Sequence, residues 1–371
     1  MVTTVAHVYP WDIVGDPSAV ARISGLGVDA VALAAAYHTV RAATPFHPAH
    51  RLVDARHAAF YLPVREAEFG RLVPAEPSWV PPDSYRLASD ALRAAGLPVY
   101  AWTVLTHSSR LGDLHPDVVV RNAFGDAYPY ALCPAQPDVV EYARALVSEV
   151  LELGQPDGIV LEACGPLGFV HGGHHEKTDG TDWTPVQQKL LSLCFCSVCA
   201  GRYPAGTAEA VRAGVDGGAA SVEDALGEFA AEVRKVRTAV SRDLRRELVA
   251  LAGGVRVVVH ATADPWGTGP FATVADGVGA DVDVLTLTCW PGPEVAVPAI
   301  EALQAFDVPT AAYVLGLPPR AADGPELLAE WLRYADAGVS EFHVYHAGLA
   351  SAARLDALRH AVDGIRSHLN G

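Results

Sequence analysis

The run Gly158-Ile159-Val160-Leu161 is apolar and ends on Glu162, bounded by Pro156-Asp157 before it and Gly165-Pro166 after it. A short apolar run between turn signals reads as a buried strand. Burying a carboxylate unpaired at its end would cost several kcal/mol. Glu162 is therefore either paired or held as a neutral acid by a raised pKa, and a neutral carboxylic acid can protonate a leaving group near neutral pH. Ordinary glycoside hydrolysis needs a second carboxylate, about 5 Å away for retention or roughly 6.5–9.5 Å away for inversion. Asp264, just past a later apolar run, is the candidate, with an Asp-Pro turn as its bland alternative and Glu176 in reserve.

Two further clusters carry metal-binding residue types. His171, His174 and His175 share a glycine-flexible loop with Lys177, and can bind a divalent metal, hydrogen-bond sugar hydroxyls or cover the mouth of a site. Cys194, Cys196 and Cys199 fall within six residues. They can give three thiolates to a structural zinc, with Cys133, Cys164 or a histidine as fourth ligand; the alternative is a trio of small packing residues. Trp102, Trp183, Trp266 and Trp290 offer flat apolar faces of the kind that pack on sugar rings, Trp266 and Trp290 above all because they directly follow strands.

The elements that must position these residues form a regular series. Strand-then-helix units begin at about residues 3, 28, 99, 158, 255, 283, 309 and 340. Alternation of this kind implies a parallel sheet, and eight units without a dinucleotide glycine fingerprint favour an α/β fold of the (β/α)8 TIM-barrel type. The expectation is a single domain over residues 1–371, with insertions at about 42–84 after strand two and 165–220 after strand four. Helices are expected from Phe271 to Val278 and, as one long element, from about Ser221 to Ala252. Barrel sites form at the C-terminal strand ends. Those ends and the loops just beyond them carry His7 and Tyr9, then Tyr37, His38 and Arg41, then His107, Glu162, His260 and Asp264, then Trp290, Tyr313, Tyr345 and His346. Of these, Tyr37, His38, Arg41, His107, His260, Trp290, Tyr313, Tyr345 and His346 are the candidate substrate-binding residues, with Trp102, Trp266, His171, His174, His175 and Lys177, while Glu162 and Asp264 are the catalytic candidates.

Lys and Arg total 27 against 43 Asp and Glu, a formal charge of −16, with no basic cluster along any helix. That excludes the electrostatic footprint of a nucleic-acid binder. The N-terminal residues show no basic n-region and no membrane-spanning apolar run, so a cytoplasmic chain without a membrane partner is expected. Six cysteines in a chain of this size and setting argue against a disulfide framework.

The eight-unit pattern, the segment Asp157-Gly158-Ile159-x-Leu161-Glu162, the tripeptide Leu132-Cys133-Pro134 and the run Cys194-Phe195-Cys196-x-x-Cys199 together resemble the glycoside-hydrolase-like (β/α)8 proteins of bacteria. The resemblance implies that Glu162 corresponds to the acid/base carboxylate after strand four. The chain departs from the largest retaining clan in lacking a strand-seven Glu and an Asn-Glu pair at strand four, which argues against a two-Glu retaining mechanism. The expected function is hydrolysis of a small intracellular glycoside or related carbohydrate, with no required cofactor and with zinc as a possible structural ion. The alternatives are a zinc- or manganese-dependent barrel hydrolase, lyase or isomerase, and a carbohydrate-binding barrel without turnover. Oligomeric state stays open.

Overall fold

The computed structural model describes residues 2–170, 177–279 and 282–370. Eight parallel strands form its centre: β1 (Thr3–Val8), β2 (Ala30–Tyr37), β3 (Val99–Val104), β4 (Gly158–Glu162), β5 (Arg256–Thr262), β6 (Val284–Thr288), β7 (Thr310–Leu315) and β8 (Glu341–Tyr345). Each pairs with its neighbours in chain order, and β1 pairs both with β2 (Val5↔Ala30) and with β8 (Thr3↔Glu341), so the sheet closes into a barrel. Strands covered on both faces read as continuous apolar runs. All eight residues of β2, for example, are buried.

The outer layer holds α1 (Ala19–Ser24), α2 (Ser84–Ala94), α3 (Pro137–Gly154), α4 (Ala230–Val249), α5 (Pro293–Gln304), α6 (Gly324–Asp336) and α7 (Ala352–Asn370). α3 shows why they form. Pro137 opens it, Val139, Tyr142, Ala143, Leu146, Val147 and Val150 are buried at helical spacing, and Gln155 stops it in the left-handed region. Burying each large apolar side chain of such a stripe contributes about 1.5–3 kcal/mol.

Two expected helices differ. Residues 271–278 form no helix; Ala272–Thr273 is a short strand beside Ala261 and Thr262, where β5 runs past its last pairing with β6 at His260↔Thr286 and leaves a free edge. Gly269 and Gly277, both at left-handed φ, bracket that strand and break any helix there. The span from Ser221 is split as well. Val222–Leu226 ends at Gly227 (φ 52), a 3-10 turn follows, and α4 begins at Ala230.

The segment after β2 builds a hairpin, Val40–Ala43 against Leu52–Ala55, and returns Ala59–Phe60 antiparallel to the end of β2. The segment after β4 builds short helices over a core of its own, which includes Leu190, Leu193, Val211, Val215 and Leu226. Among the described residues, no helix is long and apolar enough to cross a membrane.

Candidate active site

Side chains alternate in and out along a strand, so β4 presents Gly158, Val160 and Glu162 to one face. That face is the barrel interior, where Glu162 is 5% exposed. Trp102 of β3 pairs with Val160, two residues below Glu162, and its indole Nε1–H donates to Glu162 Oε2 at 2.6 Å. His260 Nδ1 of β5 is 3.5 Å from the same oxygen. Burial drives the Glu162 carboxyl up to about 7, against the Trp102 hydrogen bond that favours the anion. His260 cannot neutralise it as a cation, because burial, and then the neighbouring His343, hold the imidazole well below its ordinary range. Its ring lies flat on Phe271 at 4.7 Å. Glu162 is thus a proton-carrying acid near neutral pH, buried among aromatic side chains.

The aromatic cluster around it comes from strand ends. Tyr313 of β7 packs against His260 (4.9 Å between ring centres) and Trp290 (5.6 Å), and Trp290 meets Tyr345 at 4.8 Å. Tyr37 packs edge-on to Trp102 at 4.5 Å and stacks on His38, which stacks on His107. Burial holds the Tyr37, Tyr313 and Tyr345 phenols above their ordinary range, and the charge of Glu162 adds to this in each. All three phenols therefore share the interior with Glu162. Trp290, 36% exposed, is the part of this wall that faces outward.

Below this layer runs a buried polar chain. Arg256 Nη2 of β5 donates to Glu341 Oε2 of β8 at 2.6 Å, and Glu341 Oε1 is 2.9 Å from His343 Nε2. His343 Nδ1 is 3.0 Å from His7 Nε2, and His7 Nδ1 is 3.5 Å from the Tyr313 hydroxyl. β6 and β7 lie between β5 and β8 in the sheet, so the Arg256–Glu341 contact crosses the interior. Burial raises the Glu341 carboxyl, but the hydrogen bond from His343 and the charges of His343 and Arg256 outweigh it and hold the group below its usual range. Gly158 makes room for this lower layer, since a Cβ there would meet the Tyr100 ring at 2.8 Å.

No protein-family model matches the chain, and no curated protein matches it by sequence. Solved structures do match in shape. The alpha-L-fucosidase isoenzyme 2 from Paenibacillus thiaminolyticus aligns over 99% of this chain with a TM-score of 0.59 and 12% identity; this chain spans 49% of that one. The PgaB (BpsB) glycoside hydrolase domain from Bordetella bronchiseptica aligns over 97% of this chain and 99% of its own, with a TM-score of 0.58 and 16% identity. The catalytic domain of beta-amylase from Paenibacillus polymyxa aligns over 97% of both chains, with a TM-score of 0.58 and 13% identity. The barrel is one that glycoside hydrolases use. At these identities the likeness is one of fold.

Within that barrel, several expected site residues come together and others do not. Tyr37, His38, Trp102, His107, His260, Trp290, Tyr313, Tyr345 and His346 gather at the C-terminal end, and His346 stacks on Tyr9 at 4.2 Å. Asp264 is directed elsewhere. Its Oδ2 pairs with Lys189 at 2.6 Å and its Oδ1 accepts from the Trp266 backbone, so the Asp-Pro turn has claimed it. Trp266 is no mouth platform either, being 4% exposed with its indole donating to Glu223 inside the core of the β4 insertion. Arg41 sits exposed on the hairpin, and Lys177 is exposed. His171, His174, His175 and Glu176 lie outside the described residues. Sequence reasoning passed over Asp12, whose carboxyl burial pushes up to about 7. Its Oδ2 accepts from Tyr9 N at 2.8 Å and lies 3.9 Å from His346 Nδ1, its Oδ1 is buried without a hydrogen-bond partner, and the loop after β8 packs so close that a Cβ on Gly348 would lie 1.9 Å from Oδ2. The available signal was a carboxylate in the aromatic turn Tyr9-Pro10-Trp11-Asp12 just past β1.

The cysteines form a second centre. All six are free thiols and buried. Cys133 Sγ lies 3.6 Å from Cys199, 3.7 Å from Cys194 and 3.7 Å from Cys196, and all four sulfurs fall within 4.8 Å of one another. A tetrahedral zinc with Zn–S near 2.3 Å has sulfur–sulfur edges of about 3.8 Å, so the four thiols fit that ion. Hydrogen bonding from Cys133, then from Cys194 and Cys199, holds Cys196 well below the ordinary thiol range. Cys164, the rival fourth ligand, stays a neutral thiol that burial pushes up to about 12.

Proposed function

We propose that this protein is a glycosidase-like hydrolase acting on a small glycoside or related carbohydrate, with Glu162 as the general acid. The observation that carries the reading is the state of Glu162. It is a carboxyl at a C-terminal strand end of a glycoside-hydrolase-type barrel, pushed up to about 7 by burial among rings. An acid poised there delivers a proton to a glycosidic oxygen in the range where general acid catalysis is most effective. Trp290, stacked on Tyr313 and partly open, offers a face for a sugar ring.

A panel of 4-nitrophenyl glycosides of both anomers tests this. Wild type is expected to release nitrophenol from at least one member. Glu162→Gln, which keeps an acceptor for Trp102, is expected to lower kcat by about 10²–10⁴-fold on a substrate whose leaving group needs protonation. Turnover of a methyl glycoside of the same sugar, whose leaving group does need a proton, unchanged by Glu162→Gln would remove Glu162 from the chemistry, and sugar binding without turnover in wild type would leave a binding barrel.

The same proposal assigns Cys133, Cys194, Cys196 and Cys199 a structural zinc. Four thiolates close the coordination sphere and leave no position for substrate, so this ion holds the β4 insertion rather than taking part in hydrolysis. Elemental analysis of the purified protein is expected to give about one zinc per chain and none in Cys133→Ser/Cys196→Ser. A metal retained by that variant would place the ion elsewhere.

A further inference from the structure

α4 buries a stripe at helical spacing, Val233, Arg237, Val240, Leu244 and Leu248, and one position of that stripe is an arginine. Arg237 is 4% exposed. A guanidinium keeps its proton under all ordinary conditions, so a full positive charge is carried inside the protein and needs an anion close by. The usual partner is missing. Among the described residues no carboxylate oxygen pairs with Arg237; its Nη2 donates to the Gly267 carbonyl in the loop after β5, and its Nε has no hydrogen-bond partner. Asp264 is within electrostatic reach, but Lys189 holds it at 2.6 Å and its side chain is 35% exposed, where water screens its charge.

The other neighbours include two sulfurs of the cysteine centre. Burial pulls the guanidinium below its ordinary range, and Tyr203, Asp264, Cys194 and Cys199 act against that pull. Tyr203 registers the same pair: burial, then the charges of Cys199 and Cys194, raise its phenol well above the ordinary range, so it stays neutral and supplies no anion. Its ring packs on Phe195, inside the cysteine run, at 5.2 Å. The Cys194–Cys199 edge of the four-sulfur cluster thus lies beside both Arg237 and Tyr203. Four sulfurs within 4.8 Å of one another do not all ionise unaided, because each thiolate repels the next. Around a divalent ion they do, since coordinated thiols lose their protons outright, and four thiolates on a dication leave a net negative charge. The buried cation lacks an anion, and the centre next to it has one to spare.

We propose that Arg237 is the counter-ion of the centre formed by Cys133, Cys194, Cys196 and Cys199. The proposal rests on the zinc reading above. It gathers four parts of the chain around one charge. Cys133 comes from the segment after β3, three cysteines come from the β4 insertion, Arg237 comes from α4, and its bond to the Gly267 carbonyl ties in the loop after β5. Arg237 is not a ligand. It offsets the charge of the ligands, and so is a positioning residue of the metal centre.

The test titrates the reduced, metal-free full chain with Zn²⁺ in competition with EDTA, and with Co²⁺, whose sulfur-to-metal charge-transfer bands report the ligand set. Wild type is expected to show four sulfur ligands. Arg237→Gln is expected to keep the cobalt spectrum and to lose about 10–100-fold in zinc affinity, and Arg237→Lys, which keeps the charge, to recover most of that loss. A zinc affinity unchanged in Arg237→Gln overturns the proposal. Urea midpoints separate charge from packing: by linkage, the gap between wild type and Arg237→Gln is expected to be wider with zinc than without it, and an equal gap in both forms overturns the proposal. If Arg237→Gln does not fold, Arg237→Lys decides, and a tenfold or larger loss of affinity there, about the lower end of the effect expected for losing such a partner, overturns it. Asp264→Asn is expected to bind zinc as wild type does; a loss matching that of Arg237→Gln makes Asp264 the counter-ion instead. If wild type takes up neither ion, the zinc reading falls and the counter-ion with it, whereas equal binding by wild type and Arg237→Gln removes the counter-ion alone.

Discussion

Two glutamates stand at opposite ends of one barrel interior, and their surroundings drive them in opposite directions. Glu162, at the mouth, has one hydrogen-bond donor and a ring of aromatics, and its carboxyl rises to about 7. Glu341, in the lowest layer, is equally buried but faces Arg256 and His343, and its carboxyl falls below the usual range. Burial alone does not set the protonation state of a lumen carboxylate; the number and charge of its donors do. The lower glutamate is built to stay ionised. The upper one is built to carry a proton.

Removing the guanidinium is the largest way to break this contrast. Arg256→Met leaves Glu341 with His343 as its remaining side-chain hydrogen-bond partner among the described residues, and loss of one partner from a buried pair typically costs about 3–5 kcal/mol. Because the Arg256 side chain is 37% exposed, solvent screening brings the expected loss toward the lower end, about 3 kcal/mol. A urea titration at neutral pH measures it, and an unchanged midpoint would mean that Glu341 is not ionised.

A smaller effect sharpens the other half. Glu162 has a folded value near 7 against 4.5 for the free side chain, so the folded state holds the proton more tightly than the unfolded one. That stabilisation is full below pH 4.5 and is lost as pH rises through 7, at most about 3 kcal/mol from this group. Glu162→Gln removes the dependence. The variant is expected to match wild type near pH 4.5 and to exceed it in stability above pH 7, as urea midpoints at the two pH values show. Asp12, also near 7, keeps a residual slope in both proteins. Glu341 works with the opposite sign, its contribution being present above the unfolded value and lost as pH falls.

The mouth was more legible in the sequence than the floor. Glu162 announced itself because a carboxylate closing an apolar strand has few explanations, and the barrel followed from eight apolar runs at regular spacing. Asp264 carried the same local signal, yet Lys189 took it, and a lysine on the β4 insertion has no sequence relation to strand five. Trp266 was drawn the same way by Glu223. The chain beneath the mouth links residues as far apart as 336 positions, and none of its members stands out locally. His343 and Glu341 read as an ordinary strand start until closure of the barrel sets β8 beside β1. The cysteine centre was half visible. Three ligands lay in one short run, and the fourth, Cys133, was one of several candidates in the sequence until folding set it, rather than Cys164, beside the other three.

The Arg256–Glu341 pair also bears on how such a barrel can evolve or be rebuilt. The lower rim of this architecture is ordinarily the face where substitutions bear on stability and leave chemistry to the loops above. Here the floor holds an ion pair that spans the interior. A chimera grafting new upper loops onto this scaffold inherits that pair, and a library that varies the floor for robustness has to keep both partners or replace both together.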